Sequence, residues 1–243
     1  MLSKPATDLC WVCQDDNTKI QRSTNMATEV KQHLIENQSN HLTAVTTERC
    51  LYNECVLQAK ETINVEGALV MPTLGPHMPN SNKITMHYSF DFAEQVLIPS
   101  NPMQPGPIYF LTPRECWIFV VNCEAIPRQI NFLVDEGVTS GKGSSSVISY
   151  LHFFFEHFGF GELHVELHCD NCAGQNKNQY LLQYLAWRTM AGLHTDVDLH
   201  FMLPGHTKFS PDWCFGLSKK KFRSVLLGRN GKRCEGQHPQ RYK

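Results

Sequence analysis

Residues 163–178, LHVELHCDNCAGQNKN, constrain the fold more than any other stretch of this chain. Leu163, Val165 and Leu167 alternate with polar residues, which is the period of a half-buried strand. The strand ends on Asp170 and Asn171, turns through Gly174 and leads into a helix expected to open near Asn176. The unit is a strand, a small-residue turn and a helix, with one carboxylate at the strand tip. Removing a carboxylate from water is costly unless positive charge sits against it. For lone carboxylates the usual positive partner is magnesium or manganese.

The rest of the chain supplies the scaffold for that unit. Between Pro5 and Gly67 there is neither proline nor glycine. Apolar residues recur at helical spacing at Met26, Val30 and Leu34, then at Leu42, Val45, Tyr52 and Val56. This predicts one long helix, or two separated near Gln38–Asn40, whose narrow apolar stripe must pack on another surface or on a second copy. Residues 67–83 are rich in proline and glycine and read as a linker. Strands are then predicted at 84–92, 116–124 and 130–136, with a proline-rich loop over 93–114. A helix introduced by GKGSSS follows, with a serine as its N-cap and a face of Val147, Leu151, Phe154, Phe155 and Phe158. Phe153 to Phe155 and Phe158 are expected in the core rather than as a base-stacking platform. After the strand to Asp170 come a helix over about 176–191, a fifth strand at 197–203, and a helix from Ser210–Pro211 to about Leu226. Three consecutive strands favour antiparallel hairpins, and the strand–helix–strand units add parallel pairs by crossover. The predicted class is α/β: a mixed five-stranded sheet with helices on both faces, preceded by an N-terminal helical arm. The segments are 1–66, helical and carrying a CxxC pair; 67–83, linker; 84–226, the compact domain; and 227–243, a basic tail.

Composition narrows the functional classes. With 243 residues and 42% apolar content the chain can bury one sizeable core. No apolar run approaches membrane-spanning length, and the N-terminus lacks the hydrophobic stretch of an export signal. The ten cysteines are therefore expected to be reduced thiols inside the cell. The net charge of −1 conceals an asymmetry: residues 217–243 hold nine Lys or Arg against one Glu, and residues 1–216 hold thirteen against twenty-two acids. A basic tail on an acidic body is a common footprint of a polyanion partner, and otherwise a solvated terminus.

Three aspartates fall where this topology would gather them. Asp91 lies on the first strand, Asp170 at the tip of the fourth, and Asp212 in the first turn of the helix after the fifth. If strands one and four are neighbours, Asp91 and Asp170 lie side by side and the loop after strand five returns Asp212 over the same edge. Singly, each has a structural explanation as a strand end, a turn residue or a helix-dipole partner. Together they would repel one another unless divalent cations bound between them. Two metals roughly 3.5–4 Å apart suit in-line displacement at phosphorus.

A strand-borne Asp, a strand ending in Asp–Asn and an acid at a later helix start resemble the ribonuclease H-like superfamily, and more narrowly the DDE/D transposases and integrases. Beyond that pattern, HYSFDFAEQV, QPGPIYFLTPRECWIF, DNCAGQNKN, YLAWR and GHTKFSPDWCFG are similar to an uncharacterised transposon-derived family common in invertebrate genomes. The resemblance covers nearly the whole chain. It implies a ribonuclease H-like domain over 84–226 with Asp91, Asp170 and Asp212 as catalytic, metal-holding residues, a Mg²⁺ or Mn²⁺ two-metal site, a DNA substrate and a nuclear location. The third acid is Asp where many relatives have Glu, and either ligates magnesium. Glu94 and Glu136 are weaker candidates. Asn171 is expected to orient Asp170 or a metal-bound water, and His206 and Lys208 to face the same cleft. Lys177 at a helix start, with Lys219, Lys220, Lys221 and Arg223 in the basic helix, are the expected nucleic-acid contacts.

Two further motifs are weaker. SGKGSSS lacks the spacing of an ATP-binding phosphate loop, because Gly137 lies only four residues before Gly141 and Lys142 is followed by Gly143. Cys10 and Cys13 have zinc-ligand spacing, with Cys50 and Cys55 or His33 and His41 as the candidate second pair. Buried free thiols are the default expectation there.

Two functions from different classes follow. One is a transposase-derived, metal-dependent polynucleotidyl transferase or nuclease. The other is a domesticated or truncated domain that binds nucleic acid or protein without catalysis. A ribonuclease or exonuclease on the same scaffold would need a fourth acid, and Glu156 comes late in its helix. The abrupt opening near LCWVC and the basic close are what a piece of a longer transposase would show. Self-association through the N-terminal helix is the expected oligomer contact.

Overall fold

The computed structural model describes residues 10–66, 75–98, 111–126, 128–138 and 141–226. Helix α1 (Trp11–Arg22) passes through a single 3₁₀ turn, Ser23–Asn25, into the long α2 (Thr28–Glu66). The sheet strands are β1 (Asn82–Ile98), β2 (Arg114–Cys123), β3 (Arg128–Asp135), β4 (Glu162–Cys169) and β5 (Asp196–Phe201). Helix α3 (Ser144–His157) precedes β4, α4 (Gln179–Met190) links β4 to β5, and α5 (Ser210–Leu226) follows β5. The sheet order is β3-β2-β1-β4-β5. Strands β1, β2 and β3 pair antiparallel, whereas β1, β4 and β5 pair parallel.

The architecture is the expected mixed α/β sheet with an N-terminal helical arm, and the differences are local. The helical arm breaks at 23–27, not at Gln38–Asn40, because Ser23 Oγ donates back to the Ile20 carbonyl and closes α1. The stripe that α2 buries is Tyr52, Cys55, Ala59 and Ile63; Met26, Val30 and Leu42, expected to pack, are exposed. Strand β1 does not end at 92. A bulge between Ala93 and Val96 absorbs the irregularity, and pairing resumes to Ile98 opposite Arg114. Helix α3 has Gly143 as its N-cap with no side-chain cap, rather than a serine.

Strand alternation divides the sheet into two faces. Met86, Tyr88 and Phe90 of β1, Phe119 and Val121 of β2, and Val165, Leu167 and Cys169 of β4 face Val147, Leu151, Phe154 and Phe155 of α3 and Leu181 and Leu185 of α4. Arg188 of α4 is 1% exposed, its guanidinium over the Phe155 ring at 4.5 Å and Nη1 donating to the Tyr184 hydroxyl at 3.0 Å. The intervening residues, His87, Ser89 and Asp91 of β1 with Glu166, His168 and Asp170 at β4, occupy the other face. There Tyr52 of α2 meets the rings of His87 and His168 edge-on, and the start of α5 is tied down by Ser210.

Candidate active site

Asp91 and Asp170 come together through register. Strands β1 and β4 are adjacent and parallel, with Ser89 opposite His168. Two residues further along the same pleat, Asp91 on β1 faces the residue just beyond β4, which is Asp170. Neighbouring strands lie about 4.8 Å apart, so the two carboxylates share one patch of the polar face. The Phe92 N–H donates to Asp91 Oδ1 at 2.7 Å. Asp91 is nonetheless pushed up to about 8, first by burial, then by the charge of Asp170, with Asp212 adding to it. Among the described residues no Lys or Arg forms an ion pair with Asp91 or Asp170.

Asp170 is positioned by the turn that follows it. Asn176 Nδ2 donates to its Oδ1 at 2.5 Å and the Cys172 N–H to the same oxygen at 3.3 Å. The side-chain amide that bonds Asp170 is therefore that of Asn176. The reason is local: the Cys172 carbonyl accepts from the N–H groups of Gln175, Asn176 and Lys177, winding 172–177 into a turn that folds Asn176 back under Asp170. Helix α4 accordingly opens at Gln179, with Asn178 Oδ1 capping Tyr180 and Leu181 at 3.1 Å each. Lys177 thus precedes the helix instead of sitting in its first turn. It is exposed, with Nζ 5.4 Å from the centre of the Phe201 ring.

Asp212 enters on the first turn of α5. Its Oδ2 accepts from the Phe209 N–H at 3.2 Å, the back-reaching half of a capping box. Ser210 does not cap the helix as expected. Its hydroxyl donates to Glu124 Oε2 at 2.6 Å, Ser89 donates to the other oxygen of Glu124, and the Tyr52 hydroxyl lies 3.2 Å from Ser210 Oγ. Glu124, 8% exposed, thereby ties the polar face of β1 to the helix that carries Asp212. It escaped notice in the sequence because an acid ending the apolar run CWIFVVNCE reads as an ordinary strand terminus. Tyr52, Lys208, Phe209, Ser210, Asp212 and Trp213 line an open cleft of about 710 Å³.

Lys208 thus lines the same cleft as Asp212, whereas His206 is committed elsewhere. Its Nε2 lies 3.4 Å from Cys13 Sγ and 3.3 Å from His41 Nε2. Cys10 completes that cluster, 3.4 Å from His41 Nε2. The histidines that stand against Cys10 and Cys13 are therefore His41 and His206. His33 instead sits 3.4 Å from Asn37 Nδ2, and Cys50 is exposed. Lys220 and Lys221 are exposed on α5, and Glu136 is exposed beyond β3. The side chains of Glu94, Lys219 and Arg223, residues 67–74 of the linker and the basic tail 227–243 lie outside the described residues.

Asp91, Asp170 and Asp212 offer carboxylate oxygens only, the donor type that suits a hard divalent ion. Among the described residues the groups whose ligand atoms gather within 4.8 Å are Cys10, Cys13, His41 and His206, and Cys55, Glu166 and His200; the three aspartates do not form one.

Residues 142–225 match a family described as a domain of unknown function (DUF7869). That stretch runs from the start of α3 through α5, so it contains Asp170 and Asp212 but not Asp91. No curated protein matches the sequence. Among solved structures, the chain is similar to a chain of the simian T-cell lymphotropic virus intasome in complex with PP2A regulatory subunit B56 gamma, at 10% identity and a TM-score of 0.35. The alignment covers 70% of this chain and 57% of that one, so this chain spans little more than half the length of that relative. Among the described residues, no helix is long and apolar enough to cross a membrane.

Proposed function

We propose that this chain is a transposase-derived, divalent-metal-dependent polynucleotidyl transferase or nuclease that acts on DNA phosphodiesters, with Asp91, Asp170 and Asp212 as its metal-holding acids. The observation that carries the reading is that Asp91 lies near enough to Asp170 and Asp212 for their charges to add to burial, the larger cause, in pushing it up to about 8. The ribonuclease H-like pattern in the sequence supports the same reading. So does the adjacency of β1 and β4, on which that pattern depends.

Mg²⁺ or Mn²⁺, when bound, supplies activation of a water or 3′-hydroxyl and stabilisation of the departing oxygen in an in-line displacement. The chain's own residues prepare the site. The Asn176 amide and Cys172 N–H engage one oxygen of Asp170 and leave the other for a ligand. The Phe92 N–H does the same for Asp91. The Ser89–Glu124–Ser210 bridge fixes the first turn of α5, so Asp212 is presented at the cleft lip rather than on a mobile loop. Lys208 adds a cation where a phosphate would enter. In this reading the exposed Lys220 and Lys221, with the basic tail, hold the DNA backbone, and the DNA substrate makes the nucleus the place of action.

The test is nicking of supercoiled DNA with Mg²⁺ or Mn²⁺. Wild type is expected to nick, and Asp170→Ala to lose at least about 10²-fold of the rate. Cleavage that survives the substitution would count against the site. DNA binding by the wild type without any nicking would favour a catalytically inactive binding domain.

A further inference from the structure

Cys10 and Cys13 lie far in sequence from His41 and His206, yet the ligand atoms of all four fall within 4.8 Å of one another. We propose that they form a Cys₂His₂ zinc site that clamps the N-terminal helices to the loop leading into Asp212.

Tetrahedral zinc with Zn–S of about 2.3 Å and Zn–N of about 2.05 Å has edges of roughly 3.3 Å between nitrogens and 3.5 Å between sulfur and nitrogen. The observed separations are 3.3 Å for His41 Nε2 to His206 Nε2, and 3.4 Å for both Cys10 Sγ to His41 Nε2 and Cys13 Sγ to His206 Nε2. Thiolate and imidazole together select zinc over magnesium or manganese, so this site and the carboxylate patch call for different metals.

The surroundings are shaped for the contact. Cys10 is the N-cap of α1 and Cys13 lies in its first turn, so both sulfurs leave the same helix end. Gly205 has a φ of +79°, and a methyl group there would lie 2.6 Å from Cys10 Cα, so the loop before α5 passes directly against the CxxC segment. Helix α2 grips the same loop twice more. Glu48 Oε2 accepts from the Leu203 N–H at 2.8 Å, and Arg49 Nη2 donates to the His206 carbonyl at 3.0 Å. Zinc would make the fourth corner of this strap, displacing both thiol protons to solvent and closing a chain loop that runs from residue 10 to residue 206. The element that benefits is α5, which begins four residues after His206 and carries Asp212.

The test uses the full chain. Elemental analysis of purified wild type is expected to find about one zinc per chain, and Cys50→Ser, which alters an exposed cysteine on α2 outside the cluster, should retain it. Cys13→Ser and His206→Asn should each lose most of it and bind added zinc at least about tenfold more weakly. Cobalt loading of the wild type guards against variants that fail to fold. Intense visible bands of tetrahedral Co²⁺ with thiolate-to-metal charge transfer are expected, a signature the sulfur-free carboxylate patch does not give. Absence of those bands, full zinc retention in Cys13→Ser, or zinc loss in Cys50→Ser would each overturn the assignment. Nicking by the carboxylate site is a separate readout, so failure of either proposal is recognisable.

Discussion

The two faces of the central sheet are built from the same strands by opposite rules. On β1, Tyr88 and Phe90 are wholly buried among aromatic rings, Tyr88 against Phe154 at 5.0 Å and Phe90 against Phe119 at 6.0 Å. The residues between and beyond them, His87, Ser89 and Asp91, face the opposite way. His87 and Ser89 are as deeply buried as the aromatics, yet their partners are other polar groups: His87 Nε2 lies 2.8 Å from His168 Nδ1, and Ser89 is bonded to Glu124. One face gains stability from apolar contact. The other accumulates desolvation cost, including the buried His87 Nδ1 and His168 Nε2, which have no hydrogen-bond partner among the described residues. The difference teaches that a single strand, HYSFD, can carry apolar packing and buried ionisable groups at once, one residue apart.

The contrast is open to attack at neighbouring positions. Phe90→Ala should cost about 3–5 kcal/mol in urea unfolding, as a wholly buried aromatic does when a cavity replaces it. Asp91→Asn, one residue on, should leave the midpoint unchanged or raise it, because it removes a carboxyl already unwilling to ionise. Equal losses at the two positions would dissolve the distinction between the faces.

A smaller effect is expected from acid. Burial depresses His87 to about 2 and His168 to about 3, well below the ordinary 6.5. Below pH 6.5 the unfolded chain therefore takes up protons that the folded chain refuses. The contribution of these histidines is fully present above about pH 6.5 and is lost as pH falls toward 3. Asp91 works in the opposite sense, its contribution being present in acid and lost as pH rises from 3.8 toward 8. Comparing wild type with His168→Gln isolates the histidine part. From pH 7 to 5 the variant should lose about 1–2 kcal/mol less than wild type. Parallel urea-midpoint profiles would remove the buried histidines from the account.

The smallest effect concerns the bridge between the faces' supports. Ser210→Ala deletes the hydroxyl that joins Glu124 to the start of α5, and about 1 kcal/mol of stability should go with it. Its nicking rate should fall further than that of Ser149→Ala, a control whose hydroxyl only bonds the Ser145 carbonyl in α3. Equal rates would mean that Asp212 needs no such support.

The element order and the alternation of β1 and β4 were legible because periodicity is a local property. The period of two in HYSFD and LHVELHC orients each side chain before any partner is known, and adjacency of the first and fourth strands, with Ser89 opposite His168, then brings Asp91 toward Asp170. What stayed hidden depends on partners or on turn detail. Met26, Val30 and Leu42 have helical spacing as good as that of Tyr52 and Ala59, and only the position of the sheet decides which are covered. Asn171 stands next to Asp170 in sequence, but the turn on the Cys172 carbonyl delivers Asn176 instead. His206 read as a cleft residue because it precedes Asp212, whereas its ring turns to cysteines nearly two hundred positions earlier.

The central claim is that three carboxylates on the polar face jointly hold divalent ions. Calorimetric titration of Mn²⁺ into the wild type and into Asp91→Asn/Asp170→Asn tests it without requiring a DNA substrate. Saturable binding by the wild type, weakened at least about tenfold in the double variant while its fold persists, is the expected result. Superimposable isotherms for the two proteins would contradict it.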